Sequence, residues 1–406
     1  MQAEGEATSA AGVWLDRRTP PHIVTVVSIA GIAALSLNVI LPSLPSIAAE
    51  FGADYALVAT AVSGYLGLTG VLQLGLGPLS DRYGRRPVLL VTGAIFLLAS
   101  LGCAVAPNIA VFLACRMAQA AVASGLVLSR AIVRDMVPPL QAASLLGYVT
   151  MGMSLAPMVA PMLGGILDET FGWRSVFVFS LVSGAAVFAL VWADLGETNA
   201  RPSESLAAQF SQYPALLGSR PFWGYSLTAT FGAGVFYAFL GGGPWVAREV
   251  LGMSPAGLGL HFGFPAFGYL VGNFLSGRYA SRVGLGGMML AGGVVTLVGV
   301  VIAAWLFLAD VAGPLSFFSV MVLTGVGNGL VLPSANAGVV SVRPDLAGSA
   351  SGLAGGLMIG GGALLSVAAG ALVGASAGAL GLVWLMLASA VLGVLATLDV
   401  RRRGVL

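Results

Sequence analysis

Long apolar runs recur from one end of this chain to the other, separated by short polar turns. Twelve can be marked, at about 22–46, 55–79, 87–106, 108–130, 141–167, 173–194, 221–246, 256–280, 286–308, 313–340, 347–372 and 376–398. Each is long enough to cross about 30 Å of hydrocarbon. A 406-residue chain that is 58% hydrophobic and 8% charged has too few polar side chains to cover a soluble surface. The class that remains is a polytopic membrane protein. Lipid offers the backbone no hydrogen bonds, and no run alternates as a strand would, so the spans are expected to be helices.

The charges orient those helices. All eighteen Lys-plus-Arg positions are arginine. With the N-terminus inside and the loops alternating, fifteen arginines fall inside, from Arg17 and Arg18 through Arg82, Arg85 and Arg86 to Arg401, Arg402 and Arg403. Only Arg174 and Arg248 fall outside, and Arg116 lies within a span. That asymmetry is a strong positive-inside signal and supports an even count of spans with both termini cytoplasmic. The first run is too long for a signal-peptide core and is read as a retained helix.

The longest polar connection, 195–220, divides the chain. The expected organisation is a tail over 1–21, a six-helix half over 22–194, a cytoplasmic linker over 195–220, a second six-helix half over 221–398 and a tail over 399–406. Part of the linker is expected to form a short surface helix. The halves repeat weakly. GPLSDRYG starts at Gly77 and GRYASRVG at Gly277, so that Gly77, Arg82 and Gly84 return as Gly277, Arg282 and Gly284. GLVL starts at Gly125 and again at Gly329. Two parallel halves with a site between them at the midplane is a transporter plan.

The sharpest motif is GPLSDRYGRRP, Gly77–Pro87, in the turn after the second span. Its glycines allow a tight reversal, and Asp81 can face a helix N-terminus or pair with an arginine. This stretch resembles the loop signature of the major facilitator superfamily. LPSLPSIAAEFG, RAIVRD, LAPMVAPMLGG, FGWRSVFVF and GLVLPSANA extend the likeness over nearly the whole chain, toward the Bcr/CflA branch of drug:proton antiporters. The resemblance implies the major facilitator fold of twelve transmembrane helices. It also implies a conformational latch in which Asp81 holds the end of the eleventh span near Gly348 and Ser349. Gly77, Arg82, Gly84, Arg85, Arg86 and Asp135 complete that gate.

Further residues stand at membrane depth. Pro157 and Pro161 interrupt the fifth span, and Gly164 and Gly165 permit close packing; in the family such a stretch marks exporters, although Ala156 stands where its pattern has glycine. Arg116, with Gln119 three residues on, is an expensive intramembrane cation that either lines a cavity or snorkels to the outer headgroups. The family's fourth helix carries the same pair, with glycine where this chain has Ala120. Tyr65, Gln73, Asn273, Asn328 and Asn336 suit hydrogen bonds between helices better than ligand contacts. His261 could titrate near neutrality, and a lone interfacial histidine is more often structural. Cys103 and Cys115 read as small buried hydrophobes, with no disulfide framework and no metal site.

A carboxylate is missing. None of the sixteen acids falls at mid-bilayer by these spans. The branch usually has an aspartate in the first helix, at the position of Asn38, and an amide cannot carry a proton near neutral pH. The proton site has moved, with Asp54, His261 and the Arg116 network as candidates; or the substrate carries the coupling charge; or the protein does not pump. The sequence is read as a proton-coupled exporter of small amphipathic, neutral or weakly anionic compounds in a bacterial inner membrane. Asn38, Tyr65, Arg116, Gln119 and His261 are its cavity or coupling candidates. The partners are a small-molecule substrate, protons and the lipid bilayer, acting on a monomer without cofactor or nucleic acid. A proton-independent facilitator or importer of a small metabolite is the alternative. An enzyme is disfavoured because no catalytic set lies in the spans.

Overall fold

The computed structural model describes residues 14–136, 159–199, 213–343, 346–374 and 378–402, with the single positions 145, 149 and 156. Every regular element among them is helical. The first half holds α1 (Ile23–Asn38), α2 (Leu44–Phe51), α3 (Tyr55–Tyr83), α4 (Arg85–Ala104), α5 (Ile109–Gln119), α6 (Ser124–Met136), α7 (residues 159–171) and α8 (Arg174–Asp194). A five-residue helix α9 (Tyr213–Leu217) lies in the linker. The second half holds α10 (Arg220–Trp245), α11 (Pro255–His261), α12 (Gly263–Val283), α13 (Leu285–Leu308), α14 (Pro314–Val342), α15 (Ala347–Gly374) and α16 (Gly378–Arg402).

Nine stretches among the described residues are long and apolar enough to cross a membrane. They coincide with nine of the twelve expected runs. The seventh and eighth runs form α10 and α12, of 26 and 21 residues, whose glycine, tyrosine, serine and proline content dilutes their apolarity. The fifth run is described only over its C-terminal part, as α7.

Local chemistry sets the breaks. The first run is not one straight helix. Pro42 has no N–H to bond the Asn38 carbonyl, so α1 stops at Asn38 and a 3-10 turn (Leu41–Ser43) leads into α2. The fourth run is likewise split by a 3-10 turn (Ala120–Ala123) between α5 and α6. The turn between α3 and α4 rests on Gly84 at φ +96°, and its counterpart between α12 and α13 on Gly284 at φ +77°. Both lie in a backbone region that side chains rarely enter. The sequence repeat therefore marks one backbone turn used twice.

Each half packs mainly on itself. In the first, α4 lies against α8 and α1 against α6; in the second, α14 lies against α12 and α13, and α10 against α15 and α16. Across the halves the main seam joins α3 to α15. At the arginine-poor end that seam is closed. Tyr55 Oη donates to the Gly241 carbonyl at 3.2 Å, and a side chain on Gly374 would touch Asp54. Further along the contact is uneven: a methyl on Gly360 would meet nothing within 4 Å among the described residues, while one on Gly356, a turn farther from the closed end, would meet Leu74 at 2.9 Å. At Gly352, one turn nearer the arginine-rich end, a methyl would meet open space among the described residues.

Candidate functional site

The first half encloses a polar knot around Arg116. This residue ends α5 at 1% exposure and donates four hydrogen bonds. Nε donates to the Ala61 carbonyl (3.1 Å), Nη1 to Gln119 Oε1 (2.9 Å) and Ser36 Oγ (3.4 Å), and Nη2 to the Ser36 carbonyl (3.1 Å). Its guanidinium lies 4.1 Å from the centre of the Tyr65 ring, itself buried, in a cation–π contact. Gln119 is fully buried, and its Nε2 donates to Ser100 Oγ at 2.8 Å. No carboxylate takes part in these contacts. The cation is held by carbonyl dipoles, an amide, a hydroxyl and a ring face, and the end of α5 adds its negative dipole. The structure thus joins Arg116, Gln119 and Tyr65, and adds Ser36, Ser100 and the Ala61 carbonyl, which no motif in the sequence points to.

Asn38 stands apart from that knot. It lies two residues past Ser36, so its side chain leaves α1 on the other face. It is 3% exposed, and its Nδ2 donates to the Ala34 carbonyl at 2.7 Å. Its Oδ1 has no hydrogen-bond partner among the described residues. A buried acceptor left open in this way has an unmet demand for a donor.

The Gly77–Pro87 turn forms a charge cluster. Arg85, 8% exposed, bridges two acids, with Nη1 2.5 Å from Asp81 and Nε 3.1 Å from Asp135. Its Nη1 also donates to Ser80 Oγ. The start of the linker completes the cluster. Glu197 accepts the backbone N–H groups of Arg85 (2.9 Å) and Arg86 (3.2 Å), capping α4. Thr198 Oγ1 donates to Asp135 (3.2 Å), and Asn199 Nδ2 to the Asp81 carbonyl (2.7 Å). Arg86 Nη2 reaches the Trp192 carbonyl, and Arg82 lies over the ring of Tyr83. Gly77 keeps ordinary contact with Val127. The linker's role was not legible, because a Glu-Thr-Asn run looks like any solvated loop. The side-chain surroundings of Gly348, the expected partner of Asp81, lie outside the described residues; Ser349 is buried.

In the fifth span, Pro157 lies outside the described residues. Pro161, Gly164 and Gly165 lie on α7. Side chains at Gly164 and Gly165 would overlap the carbonyls of Val39 in α1 and of Pro255 in the second half, so bare backbone is needed at both. Pro161 presents its carbonyl to Gly259 of α11. His261 ends α11 with Nδ1 2.7 Å from the Gly257 carbonyl, its ring against Phe264 and Phe318. It is far along the chain from the Arg116 contacts and shares none of them. Asn273 donates to the Tyr269 carbonyl, and Asn328 is buried with an open Oδ1 among the described residues.

A two-half helical bundle with a charged clamp at one end, a backbone-tight seam at the other and a buried polar knot between them defines a membrane transporter rather than an enzyme. The model of the Major Facilitator Superfamily matches residues 26–366, and the chain belongs to that superfamily. It is 33% identical over 340 residues to the uncharacterized MFS-type transporter YdgK of Bacillus subtilis, covering 82% of this chain and 84% of the relative. It is 29% identical over 352 residues to multidrug resistance protein D of Escherichia coli, covering 85% and 88%. The crystal structure of a D-xylose–proton symporter matches the fold with a TM-score of 0.74 over 93% of this chain and 96% of that one, at 17% identity.

Proposed function

We propose that this protein exports small amphipathic compounds, neutral or weakly anionic, from a bacterial cytoplasm by proton-coupled alternating access. In this reading twelve helices span the inner membrane, both termini and the Gly77–Pro87 gate face the cytoplasm, and a monomer suffices. The arginine-rich end is then the inner end. A seam closed at the outer end fits the inward-facing member of the cycle. Multidrug resistance in the name of a relative supports the substrate class.

The observation that carries the substrate preference is Arg116: a sequestered cation with no acid among its contacts. Its field disfavours binding of a second cation close to it. The open Oδ1 of Asn38 would accept a hydrogen bond from a neutral substrate's hydroxyl or amide. The test uses purified protein in liposomes with an imposed pH gradient. A neutral drug such as chloramphenicol is expected to be pumped and ethidium to be excluded; pumping of ethidium without any neutral drug would sink this reading. Asn38→Asp is expected to admit ethidium and to steepen the pH dependence, and an unchanged profile would remove Asn38 from the coupling path.

One observation favours a second reading, a proton-independent facilitator or importer. The position where the branch carries its acid holds an amide. Transport that survives collapse of the pH gradient with nigericin would select it.

A further inference from the structure

The acid that stands out is none of those the sequence offered as coupling groups. Asp168 lies on α7, one residue beyond the fifth predicted span, at the arginine-poor end. It is 7% exposed, and its Oδ2 accepts a hydrogen bond from Ser46 Oγ of α2 at 2.9 Å. Asp194, the other acid buried to this degree among the described residues, is already used. It accepts from the backbone of Leu15 and His22 and from the Thr25 hydroxyl, fastening the N-terminal segment to the end of α8.

Asp168 sits where the halves meet. One turn before it, Gly165 presses on the Pro255 carbonyl of the second half. The next residue, Glu169, accepts the Ala256 N–H at 3.1 Å and so caps α11 across the seam. Two turns before it, the Pro161 carbonyl touches Gly259. The stretch of α7 that carries Asp168 therefore packs on the half that must swing away when this end opens. Ser46 belongs to its own half and would stay.

We infer that Asp168 is a proton-binding residue of the outer seam, neutral when the seam is shut and ionised when it opens to water. The proton is taken from and returned to the outer aqueous phase. The inference rests on the alternating-access reading above, and makes the outer seam sensitive to external pH without carrying a proton across the membrane. Burial pushes the Asp168 carboxyl up from the usual carboxylate range, opposed by the Ser46 hydroxyl and the Arg248 charge and aided by Glu169. Arg248 and Glu169 are the charges that face it. Glu50, on α2, is engaged by Arg174 and Trp173, and His261 of α11 is packed between Phe264 and Phe318. The closed state has the raised pKa, so it binds the proton more tightly. Acid therefore favours closure and rising pH favours opening. Across the window between the closed-state and open-state pKa values, each pH unit changes the closed-to-open ratio by up to about tenfold.

The test follows the outer seam directly in lipid nanodiscs without substrate. Nitroxides are placed at Pro107→Cys and Val311→Cys, exposed on opposite halves, in a background with Cys103→Ala and Cys115→Ala. As the pH is raised from the acid side through neutrality, the native residue is expected to shift the distance distribution toward longer, open values. Asp168→Asn is expected to hold the short distance at every pH, and Asp168→Glu to keep the response. Ser46→Ala, which removes a donor to the charged form, is expected to move the midpoint to higher pH; it also serves if Asp168→Asn fails to fold. A native chain with no pH response, or an Asp168→Asn chain with the native response, overturns the proposal. A titrating seam in a protein whose transport ignores the pH gradient would uphold Asp168 and remove the antiport reading instead.

Discussion

The two repeated turns share a backbone and almost nothing else. Gly84 and Gly284 occupy the same unusual conformation 200 residues apart, each closing one long helix and opening the next. Around Gly84, Arg85 bridges Asp81 and Asp135 while Glu197 caps the new helix. At the equivalent places of the second turn stand Leu285 and Ser281. A methyl on Gly84 would overlap the Glu197 carboxylate, whereas one on Gly284 would meet open space among the described residues. The fold needs the turn twice. The charge cluster is built on the first copy, as the proposed gate would require: a single seam whose closing energy can be set without stiffening both halves.

The largest effect should come from removing the bridge. Arg85→Ala leaves two carboxylates facing each other with no cation between them, and transport at equal membrane abundance should fall by at least about tenfold. Leu285→Ala should change it by less than about twofold. Equal losses would erase the distinction between the turns. Next comes the glycine pair. Alanine at either site enters a region costing about 1–3 kcal/mol. Gly84→Ala must also displace Glu197, so its melting temperature in detergent should fall further than that of Gly284→Ala. The same order should hold for transport.

Glu197→Gln is a milder probe. It keeps the shape and weakens a charge-assisted cap, so a loss of roughly threefold is expected, with folding intact. No loss would reduce the linker to a tether. The smallest effect belongs to Ser281→Asp, which supplies an acid without a cation and should leave transport unchanged. Adding Leu285→Arg to it should slow transport by building a second clamp; an unaffected double variant would mean that the location of the turn, and not its charges, makes the gate.

Much of this was legible in the sequence. Apolar length marked nine spans because lipid leaves a helix no other way to satisfy its backbone. The order of glycine, acid and arginine in GPLSDRYGRRP marked the charge cluster, and Arg116 with Gln119 marked a polar knot. Less was legible where a partner comes from far along the chain. Glu197 lies 112 residues from the N–H it caps, and Ser36 lies 80 residues from Arg116. Asp168 is one of sixteen acids that fall outside mid-bilayer by the predicted spans, and nothing in its neighbours distinguishes it from Glu169.

Composition and periodicity alone thus determined that this chain lies in a membrane as helices, with its positive end marked. Those properties depend on each residue's own transfer energy and on local spacing. Which polar groups lose water, and against whom, was decided only by the tertiary structure. Asp168 is buried on a stretch of α7 that packs on the second half, and the open Oδ1 of Asn38 needs the helix to turn it away from Arg116. Desolvation is a property of the assembled neighbourhood, so no single stretch of sequence contains it.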